Sequence, residues 1–194
     1  MGRSSKADAR KPEILDRFME VICEAGLDGA SIGKVAKKMG VNPSLLIHYY
    51  TNRESMVQAL IDRILSRFQA WYMPDLSEYS SPVERWEAVL DVHADIQWSE
   101  MLPKEVFFSC LAMAVRDKST GRQFQEMYKT IHENTLQEIR HANQADVIHT
   151  DDEQALADMM MQRVHGASEF VISNRQQTSD SLRQMIGSFQ QKKR

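Results

Sequence analysis

The chain has 194 residues, of which 42% are hydrophobic and 26% are charged, so a largely disordered chain is excluded. The formal net charge of −3 excludes a uniformly basic nucleic-acid binder, and 8 Gly with 5 Pro favour long helices over many turns. Charge is uneven, because residues 1–70 hold 11 Lys or Arg against 8 Asp or Glu, whereas residues 71–194 hold 13 against 19. This asymmetry is typical of a chain that contacts nucleic acid at one end only.

The cysteines, the N-terminal residues and the longest uncharged run indicate the cellular compartment of the protein. Cys23 and Cys110 are far apart and each lies among apolar neighbours, which favours two buried reduced thiols over a disulfide or a redox pair. The first residues, MGRSSKADARK, are polar and basic without an apolar core, so we expect no signal peptide. The longest uncharged run, 106–115, is shorter than the roughly 20 apolar residues of a membrane-spanning helix. We therefore expect a cytoplasmic protein.

The N-terminal part is predicted to begin with a flexible arm over residues 1–9, followed by a helix near 11–25. Apolar side chains recur every four residues in this helix, at Ile14, Phe18 and Ile22. That spacing places them on one face, so we expect this helix to pack against the segment that follows it.

Residues 31–53, SIGKVAKKMGVNPSLLIHYYTNR, predict two short helices joined by a glycine turn. Ser31 can cap the first helix by accepting backbone N–H bonds, and Gly40 can take the left-handed conformation that ends it. Asn42 is a good N-cap for the second helix, and Pro43 loses no hydrogen bond at the first helical position. Two short helices with this turn and a polar, basic and aromatic outer face form a helix-turn-helix.

The rest of the chain predicts six further helices. A helix over 53–73, after an Asn52 cap, is apolar over a wide face and ends at Pro74. Capping boxes beginning at Ser81 and Thr150 open two of the later helices. The five helices after Pro74 are predicted at 82–99, from Pro103, and at 119–143, 151–174 and 179–191. No segment shows sustained period-two alternation, so the predicted fold class is all-α with about nine helices.

Three segments, EAGLDGAS, IGKVAKKMGV and LIHYY followed by NRESM, give residues 12–66 a sequence that resembles the TetR family of transcriptional repressors. The remaining two-thirds resembles the family in architecture only. The resemblance implies a DNA-binding domain over 1–52, a connecting helix over 53–73, and a ligand-binding and dimerisation domain over 74–194. It also implies a repressor that binds a palindromic operator as a homodimer and is released by a small-molecule effector.

The outer face of the motif supplies the expected DNA contacts. Residues of the right type for phosphates are Ser31, Lys34, Tyr49, Tyr50 and Arg53. Residues expected to face the bases are Asn42, Pro43, Ser44, Leu45, Ile47 and His48. Leu46 and Tyr50 are expected to be buried, Tyr49 exposed, and Lys37 and Lys38 solvated. The arm cations Lys6, Arg10 and Lys11 either enter a minor groove or stay solvated.

Three of these positions depart from the TetR pattern. Arg53 stands where the family usually has Lys, Leu45 where it often has a small hydroxyl residue, and Ile47 where it often has Tyr. Exposed aliphatic side chains suit thymine methyl groups better than phosphates. We therefore expect Leu45 or Ile47 to meet a T·A pair.

The family resemblance also implies an effector cavity and a dimer interface, while plain core packing remains the alternative for each residue. Candidates for a mostly apolar cavity are Trp71, Trp86, His93, Phe107, Cys110, Tyr128, His132, Met161 and His165. Candidates for an interface between the last two helices and their copies are Met159, Met160, Gly166, Ala167, Phe170, Leu182, Ile186 and Phe189.

Other functions are less favoured by the sequence. It contains no HExxH, CxxC, Gly-rich phosphate loop or GxSxG motif, so we expect neither an enzyme nor a bound metal or cofactor. A regulator that answers to a protein partner without a small-molecule inducer remains an alternative, as does an activator in place of a repressor.

Overall fold

The computed structural model describes residues 4–94 and 102–166 with residues 180, 181, 183, 184 and 186, and gives side chains from residue 10 and, before residue 180, up to residue 162. Every regular element in this part of the chain is an α-helix, which confirms the predicted all-α class. The helices are α1 (Ser4–Gly29), α2 (Ile32–Met39), α3 (Pro43–Tyr49), α4 (Arg53–Tyr72), α5 (Pro82–Ala94), α6 (Lys104–Arg116), α7 (Lys118–Gln144) and α8 (Glu153–Gly166). Residues 180, 181, 183, 184 and 186 are helical too and lie in the predicted ninth helix.

Helix α1 is longer than the sequence predicts. It begins at Ser4, so residues 4–9, predicted as part of a flexible arm, are helical. The reason is local, because Lys and Ala, which make up half of these residues, are strong helix formers. The prediction of an arm rested on the polar character of the segment as a whole. At the other end, Gly26 has φ 69° and ψ 165°, outside the helical region, and marks a kink before Gly29.

The chain divides into two compact units, and the boundary falls inside α4 between Arg67 and Phe68. The first unit contains α1–α3, most of α4, α6 and the start of α7; the second contains α5, α8 and the rest of α4 and α7. This division differs from the predicted boundaries at 52 and 73. The reason is that α1 packs against α6 as well as α2 and α3, a long-range contact that sequence order conceals.

The first unit has a continuous apolar core. Ile14, Phe18 and Ile22 are buried on α1 as predicted, and Val106, Phe107 and Cys110 are buried on α6. Burial raises the pKa of the Cys110 thiol to about 11. Both cysteines are free thiols, but Cys23 is exposed, so its predicted burial is wrong. A residue five positions after Phe18 is turned about 140° from it around a helix, which apolar sequence neighbours do not reveal.

The second unit combines an apolar core with two buried polar contacts. Its core contains Leu76, Trp86, Val89, Leu90, Ala94, Ile139, Ala142, Ile148, Leu156, Ala157, Met160 and Ile186. Arg85 on α5 donates two hydrogen bonds of 2.7 Å each to Glu138 on α7, whose side chain is only 7% exposed. His93 on α5 lies 3.0 Å from the hydroxyl of Thr135 on α7, through Nε2.

The connection between α7 and α8 is held by its own hydrogen bonds. Asp146 has φ 56°, and the N–H of Val147 bonds the carbonyl of Ala142 at 2.9 Å, which closes a Schellman motif after α7. Asp152 caps α8, because its Oδ1 accepts the N–H of Ala155 at 2.9 Å. Helix α8 is therefore capped two residues later than predicted. Thr150 instead exchanges hydrogen bonds with the Asn143 side chain in the connection before α8.

Candidate nucleic-acid interface

Helix α2 begins and ends as the sequence predicts. The Ser31 hydroxyl accepts a hydrogen bond of 3.3 Å from the backbone N–H of Lys34. Gly40 follows the helix with φ 65° and ψ 31°, and its N–H bonds carbonyl groups of the last turn. The left-handed conformation at Gly40 turns the chain directly into α3.

Helix α3 begins at the predicted cap. The Asn42 Oδ1 accepts hydrogen bonds from the backbone N–H and the hydroxyl of Ser44, at 3.0 and 2.9 Å. Pro43 occupies the first turn, where its missing N–H would have had no partner within the helix. The structure of residues 31–49 therefore confirms the predicted helix-turn-helix.

The side chains of α3 separate into a buried and an exposed set. Leu46 is fully buried and Tyr50, the residue after the helix, is 6% exposed, as expected from the sequence. Leu45 is 38% exposed and Ile47 is 50% exposed. Asn42, Pro43, Ser44 and His48 are exposed as well. Helix α3 thus presents polar and aliphatic side chains together on its outer face.

Tyr49 differs from its prediction. It is half-buried, whereas the sequence led us to expect an exposed ring. Its ring stands edge-on to the ring of His48, with centroids 5.5 Å apart and planes at 74°. This aromatic contact covers part of the ring.

Two cations that were predicted to contact phosphates bind backbone carbonyl groups of the chain. The Lys34 Nζ donates to the carbonyl of Gly29 at 2.8 Å. The Arg53 Nε donates to the carbonyl of Ala30 at 2.9 Å, and its Nη2 donates to the carbonyl of Leu27 at 2.6 Å. Lys34 is exposed and Arg53 is half-buried. Both side chains therefore bind residues 27–30, at the end of α1 and just before the cap of α2.

The other basic residues near the motif differ in their partners. Lys38 forms ion pairs with Glu24 at 2.7 Å and Glu20 at 3.2 Å, and hydrogen bonds to these two carboxylates raise the pKa of Lys38. Lys37 is exposed and makes no ion pair with any residue that the structure describes. Arg10 pairs with Glu13 at 2.9 Å, while the side chain of Lys6 lies outside the described residues.

The predicted effector residues are divided between the two units. Phe107 and Cys110 belong to the first unit, whereas Trp71, Trp86, His93, Tyr128, His132 and Met161 belong to the second. Trp86, His93 and Met161 are buried, Trp71, Tyr128 and His132 are half-buried, and burial raises the pKa of Tyr128 to about 12. The His132 Nε2 lies 2.7 Å from the Asp158 carboxylate. The side chain of His165 lies outside the described residues.

His93 is the most deeply buried histidine of this set among the described residues, with 5% of its surface exposed. Its Nδ1 lies 2.9 Å from the carbonyl of Val89, which can only accept, so Nδ1 carries the proton. The Thr135 hydroxyl then has two acceptors within reach, the His93 Nε2 at 3.0 Å and the carbonyl of Ile131 at 2.9 Å. Burial lowers the pKa of His93 from 6.5 to about 4, so it is neutral at pH 7.

Two of the clefts on the described surface of the second unit contain at most one predicted effector residue each. One, of about 640 Å³, is polar and is lined by Arg140, Asn143, Asp146, His149, Thr150, Asp151, Asp152, Glu153 and Gln154. The other, of about 280 Å³, is lined by Tyr79, Ser80, Pro82, Arg85, Trp86, Glu138, His141, Ala142 and Ala145. Of the predicted set only Trp86 lies in either cleft, and it also belongs to the apolar core.

The predicted interface residues are partly explained by the fold of one chain. Met160 and Ile186 are buried in the core of the second unit, and Met159 packs against that core. These residues therefore contribute to the core of one chain, and their place in a dimer interface stays a prediction, because an apolar helix face has the same pattern whether it meets its own chain or a copy. Gly166 ends α8. Ala167, Phe170, Leu182 and Phe189 lie outside the described residues.

Three residues that make structural contacts were not identified from the sequence: Arg63, Thr135 and Glu138. Arg63 on α4 donates to the carbonyl of Pro12 at 3.0 Å and to Asp16 at 2.6 Å. Thr135 and Glu138 make the buried contacts of α7. A signal for these two was present, since they stand four and seven positions after buried Ile131, where helical periodicity predicts an inward side chain.

Among the described residues, no group of three or more His, Cys, Asp or Glu side chains could hold a metal ion. In the same part of the chain, no helix is both long and apolar enough to cross a membrane.

Comparisons with known proteins agree with the helix-turn-helix. Residues 14–60 match the family model for bacterial regulatory proteins of the tetR family, and residues 86–193 match the tetracyclin repressor-like C-terminal domain. The HTH-type transcriptional regulator BetI of Vibrio campbellii is 27% identical over 93 residues, which are 47% of each chain. The match therefore spans about half the length of that relative.

Solved structures show the same fold at low identity. Salmonella enterica GusR has a TM-score of 0.71 with 15% identity and covers 98% of both chains. AibR, in complex with isovaleryl coenzyme A and operator DNA, has a TM-score of 0.64 with 19% identity, covering 93% of this chain and 98% of its own.

A capped helix-turn-helix with an exposed second helix, within an all-helical chain, defines a DNA-binding transcriptional regulator. The matched C-terminal domain alone covers more than half of the sequence. The chain belongs to the TetR family.

Proposed function

We propose that this regulator is a repressor that binds a palindromic operator as a homodimer and is released by a small-molecule effector. The observation that carries the DNA-binding part is the outer face of α3, where Leu45 and Ile47 are exposed while Leu46 between them is fully buried. Exposed aliphatic side chains beside polar groups are the chemistry required to read base edges in a major groove.

The contacts divide between phosphates and bases. Ser31 and Lys34 at the start of α2 and Tyr49 at the end of α3 are proposed to hold phosphates, with part of the Tyr49 ring available beyond His48. The base-reading set is Asn42, Pro43, Ser44, Leu45, Ile47 and His48. The Asn42 Oδ1 is engaged in the cap, but its NH2 group can still donate to a base.

Leu45 and Ile47 are proposed to read thymine through its methyl group. An operator selected from random DNA would be remade with deoxyuridine in place of each thymidine in turn, which removes only that methyl group. Burial of one such group contributes about 0.8 kcal/mol, so we expect about a fourfold weaker affinity at the positions read. Leu45→Ala and Ile47→Ala should each abolish the effect at their own position. Equal losses at every base, or no loss anywhere, would contradict the assignment.

The effector is proposed to be mostly apolar with at least one hydrogen-bond acceptor. The indole Nε1 of Trp71 is buried and has no hydrogen-bond partner, alone among the buried side-chain N and O atoms that the structure describes. An unpaired buried donor is unfavourable by about 1–3 kcal/mol, which an acceptor on a ligand would relieve. A ligand of this kind is consistent with AibR, which is similar in fold and was solved in complex with isovaleryl coenzyme A, a molecule that carries many hydrogen-bond acceptors.

Thermal melting of the protein with a panel of metabolites tests the effector. A true effector should raise the melting temperature and weaken operator binding, because it binds the DNA-free state more tightly. Trp71→Phe keeps an aromatic ring, though a smaller one, and loses the N–H, so it should reduce the shift without preventing DNA binding. Release of DNA by a protein partner and by no compound would favour the alternative regulator.

The homodimer is proposed because one helix-turn-helix makes few contacts and a palindrome demands two-fold symmetry. Sedimentation equilibrium of the full chain should give twice the chain mass of 22.3 kDa. A monomer at concentrations that saturate the operator would contradict this proposal.

A further inference from the structure

Residues 27–30, which are the last residues of α1 after its kink at Gly26 and the residue that follows the helix, form a turn whose carbonyl groups bind two cationic side chains. Its carbonyl groups accept both hydrogen bonds of Arg53 and the single hydrogen bond of Lys34. Arg53 is the first residue of α4, and the turn leads directly into Ser31, the N-cap of α2. One side chain thus connects the start of α4 to the entry of the helix-turn-helix.

The chemistry of this contact requires arginine. The Nε and Nη2 groups of Arg53 lie on one edge of a planar guanidinium and reach the carbonyl groups of Ala30 and Leu27 together. A lysine ammonium is a single point charge on a flexible stem and does not fix two acceptors in one orientation. Arg53 therefore makes here a contact that the lysine usual at this position in the family would not reproduce.

A second arginine anchors α4 further along. Arg63 bonds the carbonyl of Pro12 and the carboxylate of Asp16, in the first half of α1. Both arginines hold α4 against the helical bundle, but only Arg53 reaches the turn before α2. Arg63 is therefore a matched control for general packing of α4.

We propose that Arg53 is a positioning residue for DNA binding, which sets α2 and α3 against the start of α4 through the carbonyl groups of Leu27 and Ala30, and does not act as a phosphate contact. This inference rests on the proposed operator binding and revises the role expected for Arg53 from the sequence. Helix α4 continues past Arg67 into residues of the second unit. Arg53 therefore connects the helix-turn-helix to α4, the helix that follows it in the chain.

The test compares operator affinity over a range of salt concentrations for the wild type, Arg53→Lys, Arg53→Gln, Arg63→Lys and Lys34→Gln. A phosphate contact contributes about 0.9 to the slope of log affinity against log salt concentration, and Lys34→Gln should show that loss. Positioning predicts that Arg53→Lys and Arg53→Gln both weaken binding by about 10-fold with the wild-type slope. Arg63→Lys should stay within about twofold of the wild type, because its contacts lie away from α2.

The outcomes separate the alternatives. Wild-type affinity in Arg53→Lys, with a reduced slope in Arg53→Gln, would assign Arg53 to a phosphate and overturn the inference. Equal weakening in Arg63→Lys and Arg53→Lys would reduce the effect to general packing and also overturn it. A wild-type chain without preference for the selected operator would contradict the proposed function, and this inference with it.

Discussion

The helix-turn-helix and the second unit differ in how far apart along the chain their polar partners lie. In the motif, the Ser31 side chain accepts a hydrogen bond from the backbone N–H three positions later, and the Asn42 side chain accepts one from the N–H two positions later. In the second unit, Arg85 bonds Glu138, 53 positions away. Local partners meet in any chain that forms the helix, whereas distant partners meet only when the whole unit has folded. The helix caps of the motif are therefore fixed by short sequence segments, whereas the contact between α5 and α7 in the second unit depends on long-range packing.

The largest expected effect comes from breaking a long-range contact. Arg85→Met would leave the carboxylate of Glu138, which is 7% exposed, buried without its partner. We expect the free energy of unfolding to fall by about 3 kcal/mol, measured by urea denaturation. The control is Arg183→Met, whose partners Glu87 and Asp91 are 46% and 65% exposed, and which should lower stability by less than about 1 kcal/mol. Equal effects would remove the distinction between buried and exposed pairs.

The pH dependence of stability tests the second buried contact. His93 takes up a proton near pH 6.5 when unfolded and only near pH 4 when folded. Because the unfolded chain binds more protons between these values, the contribution of His93 is fully present above pH 6.5 and is lost as the pH falls toward 4. The difference between the unfolded and folded pKa values of His93 limits this loss in the free energy of unfolding to about 3 kcal/mol.

Thermal melting between pH 4 and pH 7 measures this effect. His93→Gln should flatten the dependence over that range. An identical pH dependence in the wild type and His93→Gln would show that His93 is not the group responsible.

A smaller effect is expected from a local cap in the first unit. The Asn52 Oδ1 accepts the backbone N–H of Ser55 at 2.8 Å at the start of α4. Asn52→Ala should lower the free energy of unfolding by about 1 kcal/mol, measured by urea denaturation. Asn52→Asp keeps the acceptor and adds a favourable charge at a helix N-terminus, so it should be at least as stable as the wild type. A loss with Asp as large as with Ala would argue against the cap.

The smallest effect should be a gain in the second unit. Asp146 adopts φ 56° at the left-handed position after α7, where glycine has no steric penalty. Asp146→Gly should raise stability by up to about 0.5 kcal/mol, because relief of strain exceeds the greater freedom of glycine in the unfolded chain. Asp146→Val is the matched control and should melt at a lower temperature, since a β-branched residue is strained there.

Features that depend on local contacts were predicted from the sequence, whereas features that depend on distant segments were not. Ser31, Gly40 and Asn42 were assigned correctly because each needs only its immediate neighbours to form its contact. The boundary of α1 was misplaced because composition does not separate a polar helix from a polar arm. The packing of α6 on α1, the Arg85 pair and the single-chain burial of Met160 could not be predicted, since each depends on segments brought together only by folding.

The role of Arg53 lies between these cases. Its residue type and place at the start of α4 were evident from the sequence, and both suited a phosphate contact. Its partners, the carbonyl groups of Leu27 and Ala30, became visible only in the structure. Backbone acceptors leave no signature in the sequence, because every residue carries one.

The central claim, that the exposed face of α3 reads DNA, is tested most directly by the ratio of affinities for a selected operator and for random DNA. The double variant Leu45→Ala/Ile47→Ala should lower this ratio by at least about 10-fold while the melting temperature stays near that of the wild type. Val115→Ala, which truncates an aliphatic side chain on α6 that is 85% exposed, should change neither quantity. A double variant that keeps the wild-type ratio would contradict the account.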